Sequence, residues 1–228
     1  MKNVAIIGSG SWGAALGIYL ANNGNKVSLW SFNEDEMKSI NEDRKCIFLP
    51  KAVVPEGVVC STNFEEVLDG AEIILHVTPS KFVRSTMKQY KDFVKENQML
   101  VMCSKGFEAE SNLTLDEVMK EELPGIRCGI LSGPSHAEEV SIGIPTAVVI
   151  SSENDETSEH LQAVFMNSKF RVYINDDLLN NFEREYEKQE LIVSSLRIDT
   201  IVSRLVGCSR DGVNEKIKIL QASDMQSK

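Results

Sequence analysis

At 228 residues, 42% hydrophobic and 25% charged, the chain has the composition of an ordinary globular protein with length enough for a full core. Its formal net charge of −10 weighs against nucleic acid or an anionic membrane as the main partner, while leaving room for a local basic site for a phosphate. The five cysteines lack zinc-like spacing, the three histidines stand apart and no run is long enough to span a bilayer, so neither a metal site nor membrane insertion is expected.

The first stretch, Val4-Ala5-Ile6-Ile7-Gly8-Ser9-Gly10-Ser11-Trp12-Gly13-Ala14-Ala15-Leu16, is an apolar β-branched run, three spaced glycines and an apolar helical pattern. That is the strand, turn and helix of a dinucleotide-binding βαβ unit. Gly8 permits the sharp turn, Gly10 lets the backbone approach a pyrophosphate, and Gly13 allows the helix to pack close to the strand. The opening helix turns its free N–H groups and positive dipole end toward the phosphates. Because the apolar start contains glycines and reads at once as a strand, no leader is expected, and the cytoplasm is the expected compartment. Trp12, inside the turn, reads either as a core aromatic or as a wall beside the cofactor.

A helix ends at Asn22-Asn23-Gly24-Asn25, and Val27-Ser28-Leu29-Trp30 is the second strand. Its end normally chooses the cofactor: an acidic residue for the ribose of NAD, an arginine for the 2′-phosphate of NADP. Here stand Ser31, Phe32 and Asn33, with Glu34 and Asp35 opening a helix, so NAD and NADP both stay open. Arg44 to Pro50 reads as an irregular loop, Val58-Val59-Cys60 as a short strand, and Asn63 as the cap of a short helix ended by Gly70. Strands are expected over Glu72 to Val77, Met99 to Cys103, Cys128 to Leu131, Pro145 to Ile150 and Phe170 to Tyr173. His76, within an apolar strand, reads as a core histidine, and His160 as a solvated helix residue. Alternating strands and helices give an α/β fold, a Rossmann-like doubly wound and mostly parallel sheet.

The chemistry-bearing loops follow the strands. Ser104-Lys105-Gly106 places a cation at a strand end, able to hold a phosphate or polarise a carbonyl, or simply to be a surface lysine. In Gly133-Pro134-Ser135-His136-Ala137 a rigid turn leads to a helix start, with Ser135 as N-cap and Glu138 completing a capping box; backbone N–H groups offered to an anion are compatible with that.

Together these motifs resemble one family, the bacterial-type NAD(P)-dependent sn-glycerol-3-phosphate dehydrogenases. The likeness runs through Gly8 to Gly13, Val77-Thr78-Pro79-Ser80 with Arg84, Ser104-Lys105-Gly106, Gly133 to Ala137, Pro145-Thr146-Ala147-Val148 and Phe170-Arg171-Val172-Tyr173. It implies a Rossmann domain over residues 1–177 and the reduction of dihydroxyacetone phosphate to sn-glycerol 3-phosphate, for phospholipid synthesis, with NADH or NADPH as hydride source. By position, the resemblance implies that Gly8, Gly10, Ser11, Trp12, Gly13, Phe32, Asn33, Lys105 and Ala137 contact the cofactor, and that Lys105, Gly133 and Ser135 hold the substrate. The family often has a basic residue where this chain has Phe32, which weighs against a 2′-phosphate contact.

The larger departure is residues 178–228, where the family's glycine- and alanine-rich helix with the catalytic lysine and the following helical domain are not matched. This stretch holds 8 basic and 8 acidic residues, so the net negative charge sits wholly in residues 1–177. Leu179, Phe182, Tyr186, Val193 and Leu196 predict an amphipathic helix. Lys188 falls at the catalytic position by counting alone, between Glu187 and Gln189, which do not match the motif. Two readings follow: a glycerol-3-phosphate dehydrogenase by descent with weak or absent activity, or a non-catalytic nucleotide-binding module whose helical tail associates with a partner or a second copy. A third, a Rossmann reductase for another small oxo-acid, fits the Lys105 and Gly133 loops less well.

Overall fold

The first strand, β1 (Asn3–Ile7), is buried at every position after Asn3. Val4 and Ile6 join one apolar cluster and Ala5 and Ile7 another, on opposite faces of the sheet. A strand covered on both faces belongs at the centre of a parallel sheet with helices on either side. The computed structural model describes residues 1–133 and 135–175.

Following β1 are α1 (Ser11–Asn22), β2 (Lys26–Trp30), α2 (Glu34–Lys38), β3 (Val58–Ser61), α3 (Phe64–Leu68), β4 (Ile73–His76) and α4 (Val83–Tyr90). Then come β5 (Met99–Met102), α5 (Leu115–Glu122), β6 (Arg127–Ser132), α6 (Ala137–Ser141), β7 (Thr146–Ser151), α7 (Asp155–Phe165) and β8 (Phe170–Ile174). The strand order is β3-β2-β1-β4-β5-β6-β7-β8. Neighbours pair in parallel except β6 and β7, which run antiparallel. This is the expected doubly wound, mostly parallel sheet. Chain progression reverses between β1 and β4, where such sheets bind ligands beyond the strand carboxyl ends.

One face carries α1, α6 and α7, which contribute Leu16, Leu20, Val140, Leu161 and Phe165 to the larger cluster. The other carries α3, α4 and α5 through Val67, Leu68, Met87, Tyr90 and Val118. Several helix ends follow from the residues expected there. Asn63 accepts the Glu65 N–H at 2.8 Å and caps α3, and Gly70, at φ +68, ends its exit turn.

One expected cap is corrected. Ser135 does not cap α6: its N–H turns back to the Gly133 carbonyl at 2.9 Å, and the helix starts one residue later with His136 as N-cap and no side-chain cap bond. The capping box lies instead on α5, where the Thr114 side chain accepts the Glu117 N–H and the Glu117 carboxylate accepts the Thr114 N–H. The division at residue 177, the amphipathic pattern beyond it and Lys188 lie outside the described residues.

Candidate active site

The glycine loop sits at the carboxyl end of β1, beside the reversal point. Gly8 has φ +122, and a Cβ there would lie 2.9 Å from the Val77 carbonyl oxygen, so both conformation and space demand glycine. At Gly13 a Cβ would fall 1.9 Å from the Gly8 oxygen, whereas at Gly10 it would meet nothing within 4 Å. The loop is therefore closed on its inner side and open at Gly10. Neither the Gly10 N-cap nor any other side chain caps α1, so the N–H groups near Ser11 are left for a ligand. These features fit a dinucleotide pyrophosphate. Trp12 is half-buried and packs against the larger core cluster.

At the end of β2, Phe32 is 79% exposed, the most open large hydrophobic residue after Met1 among the described residues. The Asn33 side chain is engaged as the cap of α2, accepting the N–H groups of Asp35 at 2.8 Å and Glu36 at 3.4 Å. The residue missed from the sequence is Glu36. Its buried carboxylate accepts the Ser9 hydroxyl at 2.5 Å and the Ser31 hydroxyl at 2.9 Å, joining the glycine loop to the end of β2. The only signal for it was an acidic residue some twenty positions past the glycines, one helical turn later than the usual place.

Three further loops meet on the other side of β1. Below them His76 is fully buried, with Nδ1 2.9 Å from the Tyr90 hydroxyl and Nε2 2.7 Å from Thr78 Oγ1. Burial pushes its pKa down to about 3, so it is a neutral prop beneath the Thr78 loop, as expected of a core histidine. Ser104 donates to the Thr78 carbonyl at 2.5 Å, tying the ends of β4 and β5. Next to it, the Lys105 ammonium donates to the Gly133 carbonyl at 3.2 Å, tying β5 to β6. Lys105 is exposed as a residue, yet the loops around it desolvate its ammonium and lower its pKa. Gly133 itself has φ +150, and a Cβ there would lie 3.0 Å from Val148 Cα.

Lys105 and Gly133 are thus brought together. Ser135 is half-buried two residues on, and Ala137 is buried in α6, in the same core cluster as Ala14 of α1. His136 is exposed. His160 departs from expectation: it is half-buried, and its Nε2 is enclosed without a hydrogen-bond partner in the described structure, because α7 lies against the sheet rather than in solvent. Among the described residues no group of three His, Cys, Asp or Glu is placed to hold a metal ion, and no helix is long and apolar enough to cross a membrane.

Residues 3–158 match the family model described as the N-terminus of NAD-dependent glycerol-3-phosphate dehydrogenase. The chain belongs to that family. The glycerol-3-phosphate dehydrogenase [NAD(P)+] of Fusobacterium nucleatum is 40% identical over 182 residues, covering 78% of this chain and 54% of the relative. That of Halalkalibacterium halodurans is 43% identical over 183 residues, covering 78% and 53%. The crystal structure of the glycerol-3-phosphate dehydrogenase of Coxiella burnetii superposes with a TM-score of 0.74 at 34% identity, covering 78% of this chain and 55% of that one. The chain spans about half the length of the curated glycerol-3-phosphate dehydrogenases it matches.

Proposed function

We propose that the chain supplies the cofactor-binding half of an NAD(P)-dependent sn-glycerol-3-phosphate dehydrogenase, and that residues 1–177 form this domain. The observation that carries the reading is the glycine loop at the β1–β4 reversal: closed against Gly8 and Val77, open at Gly10, and leading into an uncapped helix. When bound, NAD or NADP supplies hydride chemistry at its nicotinamide ring. Gly8, Gly10, Ser11, Trp12 and Gly13 hold the pyrophosphate side, Phe32 and Asn33 border the adenosine ribose, and Ala137 backs the site from α6.

Lys105, Gly133 and Ser135 form the substrate side, and the substrate class is dihydroxyacetone phosphate or sn-glycerol 3-phosphate. The Lys105 ammonium, fixed by the Gly133 carbonyl, brings positive charge to a phosphate or to the alkoxide formed on ketone reduction. Its partial desolvation strengthens that attraction and lowers its own pKa. Reduction also needs a proton on the new alkoxide oxygen, and a positioned acid contributes about 100- to 10,000-fold. In this reading the acid lies outside the described residues. Lys188 stands at the family's place for it by counting only, so turnover by this chain alone is weak. The free thiols of Cys46, Cys60, Cys103 and Cys128 suit a reducing compartment, the cytoplasm.

The test is calorimetry of dihydroxyacetone phosphate binding to the cofactor-loaded chain and to K105A. The reading expects affinity to fall about tenfold or more in the variant, as for the loss of a charge-assisted contact. Unchanged affinity would remove Lys105 from the substrate site. If the alternative reading, a non-catalytic nucleotide-binding module, holds instead, cofactor binds and the triose phosphate does not.

A further inference from the structure

The group that the proposed cofactor site does not yet use is the Ser9–Ser31–Glu36 triangle. All three side chains are buried, with relative exposures of 5%, 0% and 8%. Ser9 is the residue between Gly8 and Gly10, Ser31 directly follows β2, and Glu36 reaches back to both from the first turn of α2. A carboxylate only accepts, and each serine has one hydroxyl proton to give. Glu36 Oε2 accepts from both, at 2.5 Å from Ser9 and 2.9 Å from Ser31; the two hydroxyl oxygens lie 2.8 Å apart, and Ser31 Oγ is also 3.2 Å from the Asn33 carbonyl oxygen. Ser31 Oγ also accepts the Asn33 N–H at 3.1 Å, which extends the lock into the cap of α2.

Glu36 has no ion-pair partner among the described residues; its partners are the two hydroxyls and, in the backbone, the Asn33 cap. With Ser9, Lys45, Ile47 and Phe48 it lines a small recess beside the glycine loop. Arg44, the neighbouring cation, is turned away and donates to the Val58 carbonyl at 2.9 Å. The negative charge is felt nearby: after burial, Glu36 is the next largest cause pushing the Cys60 thiol up to about 12. In a dinucleotide-binding βαβ unit the adenosine ribose lies between the glycine loop and the end of β2, the two segments that this triangle joins.

We propose that Glu36 is a specificity-determining residue. By accepting both serine hydroxyls it fixes the glycine loop against β2 and sets a negative charge beside the ribose, so that the 2′-phosphate of NADP is repelled and NAD is taken in preference. This rests on the cofactor-site reading above. A 2′-phosphate brings between one and two further negative charges at neutral pH. Lys45, on its flexible stem at the same recess, is the opposing group, and the test must separate the two.

The experiment is fluorescence titration of the full chain with NADH and NADPH, on the wild type and on E36Q. The amide oxygen of glutamine can still accept from the serines, so E36Q removes charge while keeping shape. The wild type is expected to bind NADH at least about tenfold more tightly than NADPH, and E36Q to narrow that ratio about tenfold, chiefly through tighter NADPH binding. A merely structural role would weaken both cofactors together and leave the ratio alone. If E36Q does not fold, the same ratio is read on the wild type against salt. Repulsion from Glu36 predicts that NADPH gains on NADH as ionic strength rises; attraction by Lys45 predicts the reverse and overturns the proposal. An unchanged ratio in folded E36Q, or equal wild-type affinities, also overturns it. Failure of the wild type to bind either cofactor defeats the cofactor-site reading itself, and this inference with it.

Discussion

At Gly13 a single methyl group has nowhere to go. The Cβ of alanine would sit 1.9 Å from the Gly8 carbonyl oxygen, which is backbone and cannot rotate aside. G13A is therefore expected to push α1 off the strand, lower stability by about 1–3 kcal/mol in urea unfolding and abolish NADH binding. G10A has open space instead and is expected to keep its stability while losing affinity, since its methyl group projects where the pyrophosphate approaches. The glycines were legible because a turn, a close approach and a helix start are all encoded within six neighbouring residues. Glu36 was not. Its burial depends on how α2 folds back over the loop, and within its own helix it looks like one of three solvated acids in a first turn. His76 was readable from its apolar neighbours on both sides. His160 was misread because its helix is polar in sequence while one face lies against the sheet.

Between elements, Arg84 of α4 holds a larger share than its surface-like sequence context indicates. Its guanidinium makes a two-pronged contact with Glu108, Nε to Oε1 at 2.7 Å and Nη2 to Oε2 at 2.8 Å, and its Nη1 reaches Glu121 at 2.8 Å and Glu122 at 2.9 Å. This ties α4 to α5 and to the loop after β5 that carries Lys105. R84A leaves three carboxylates near one another, with Lys88 and Lys91 beside Glu122 and the Ser111 hydroxyl on Glu108 as the remaining partners among the described residues. We expect a loss of about 1.5–3 kcal/mol in chemical denaturation. A melting temperature unchanged within error would show the cluster to be a solvated surface network. Strands and most helix ends were legible, because apolar runs and Asn or Gly punctuation are local. Their margins shifted where a neighbour intervened: Glu72 is left out of β4 and pairs with Lys2 at 2.6 Å, and the Ser135 N–H turns back to Gly133, so α6 starts late. The Arg84 cluster joins residues 24 to 38 apart in sequence, and no local pattern announces such a contact.

For the whole molecule the buried groups set the pH range. His76 has a folded pKa near 3 against an unfolded value of about 6.5. Above about pH 6.5 it is neutral in both states and costs nothing. Below that the unfolded chain takes up a proton that the folded chain refuses, so stability falls by up to about 1.4 kcal/mol per pH unit as pH drops toward 3. The Arg84 guanidinium and the Ser111 hydroxyl hold Glu108 below the usual carboxylate range; its contribution is present above about pH 4.3 and is lost as pH falls further. Urea unfolding between pH 7 and 4 should therefore show a decline already near pH 6, and H76N should lack that early limb. A flat profile down to pH 5 in the wild type would contradict the burial of His76. The doubly wound sheet was legible from the alternation of apolar strand runs with helical patterns, and the loops at its strand carboxyl ends from the motifs that follow those strands.

The central claim, a working dinucleotide site at that reversal, is tested most directly by titrating the purified chain with NADH and following energy transfer from tryptophan to the nicotinamide ring. Trp12 lies in the glycine loop and Trp30 at the end of β2, so both donors flank the proposed site. The account predicts saturable binding at one NADH per chain, lost in G13A. Absence of transfer with both NADH and NADPH, in a chain that is folded by circular dichroism, would contradict it.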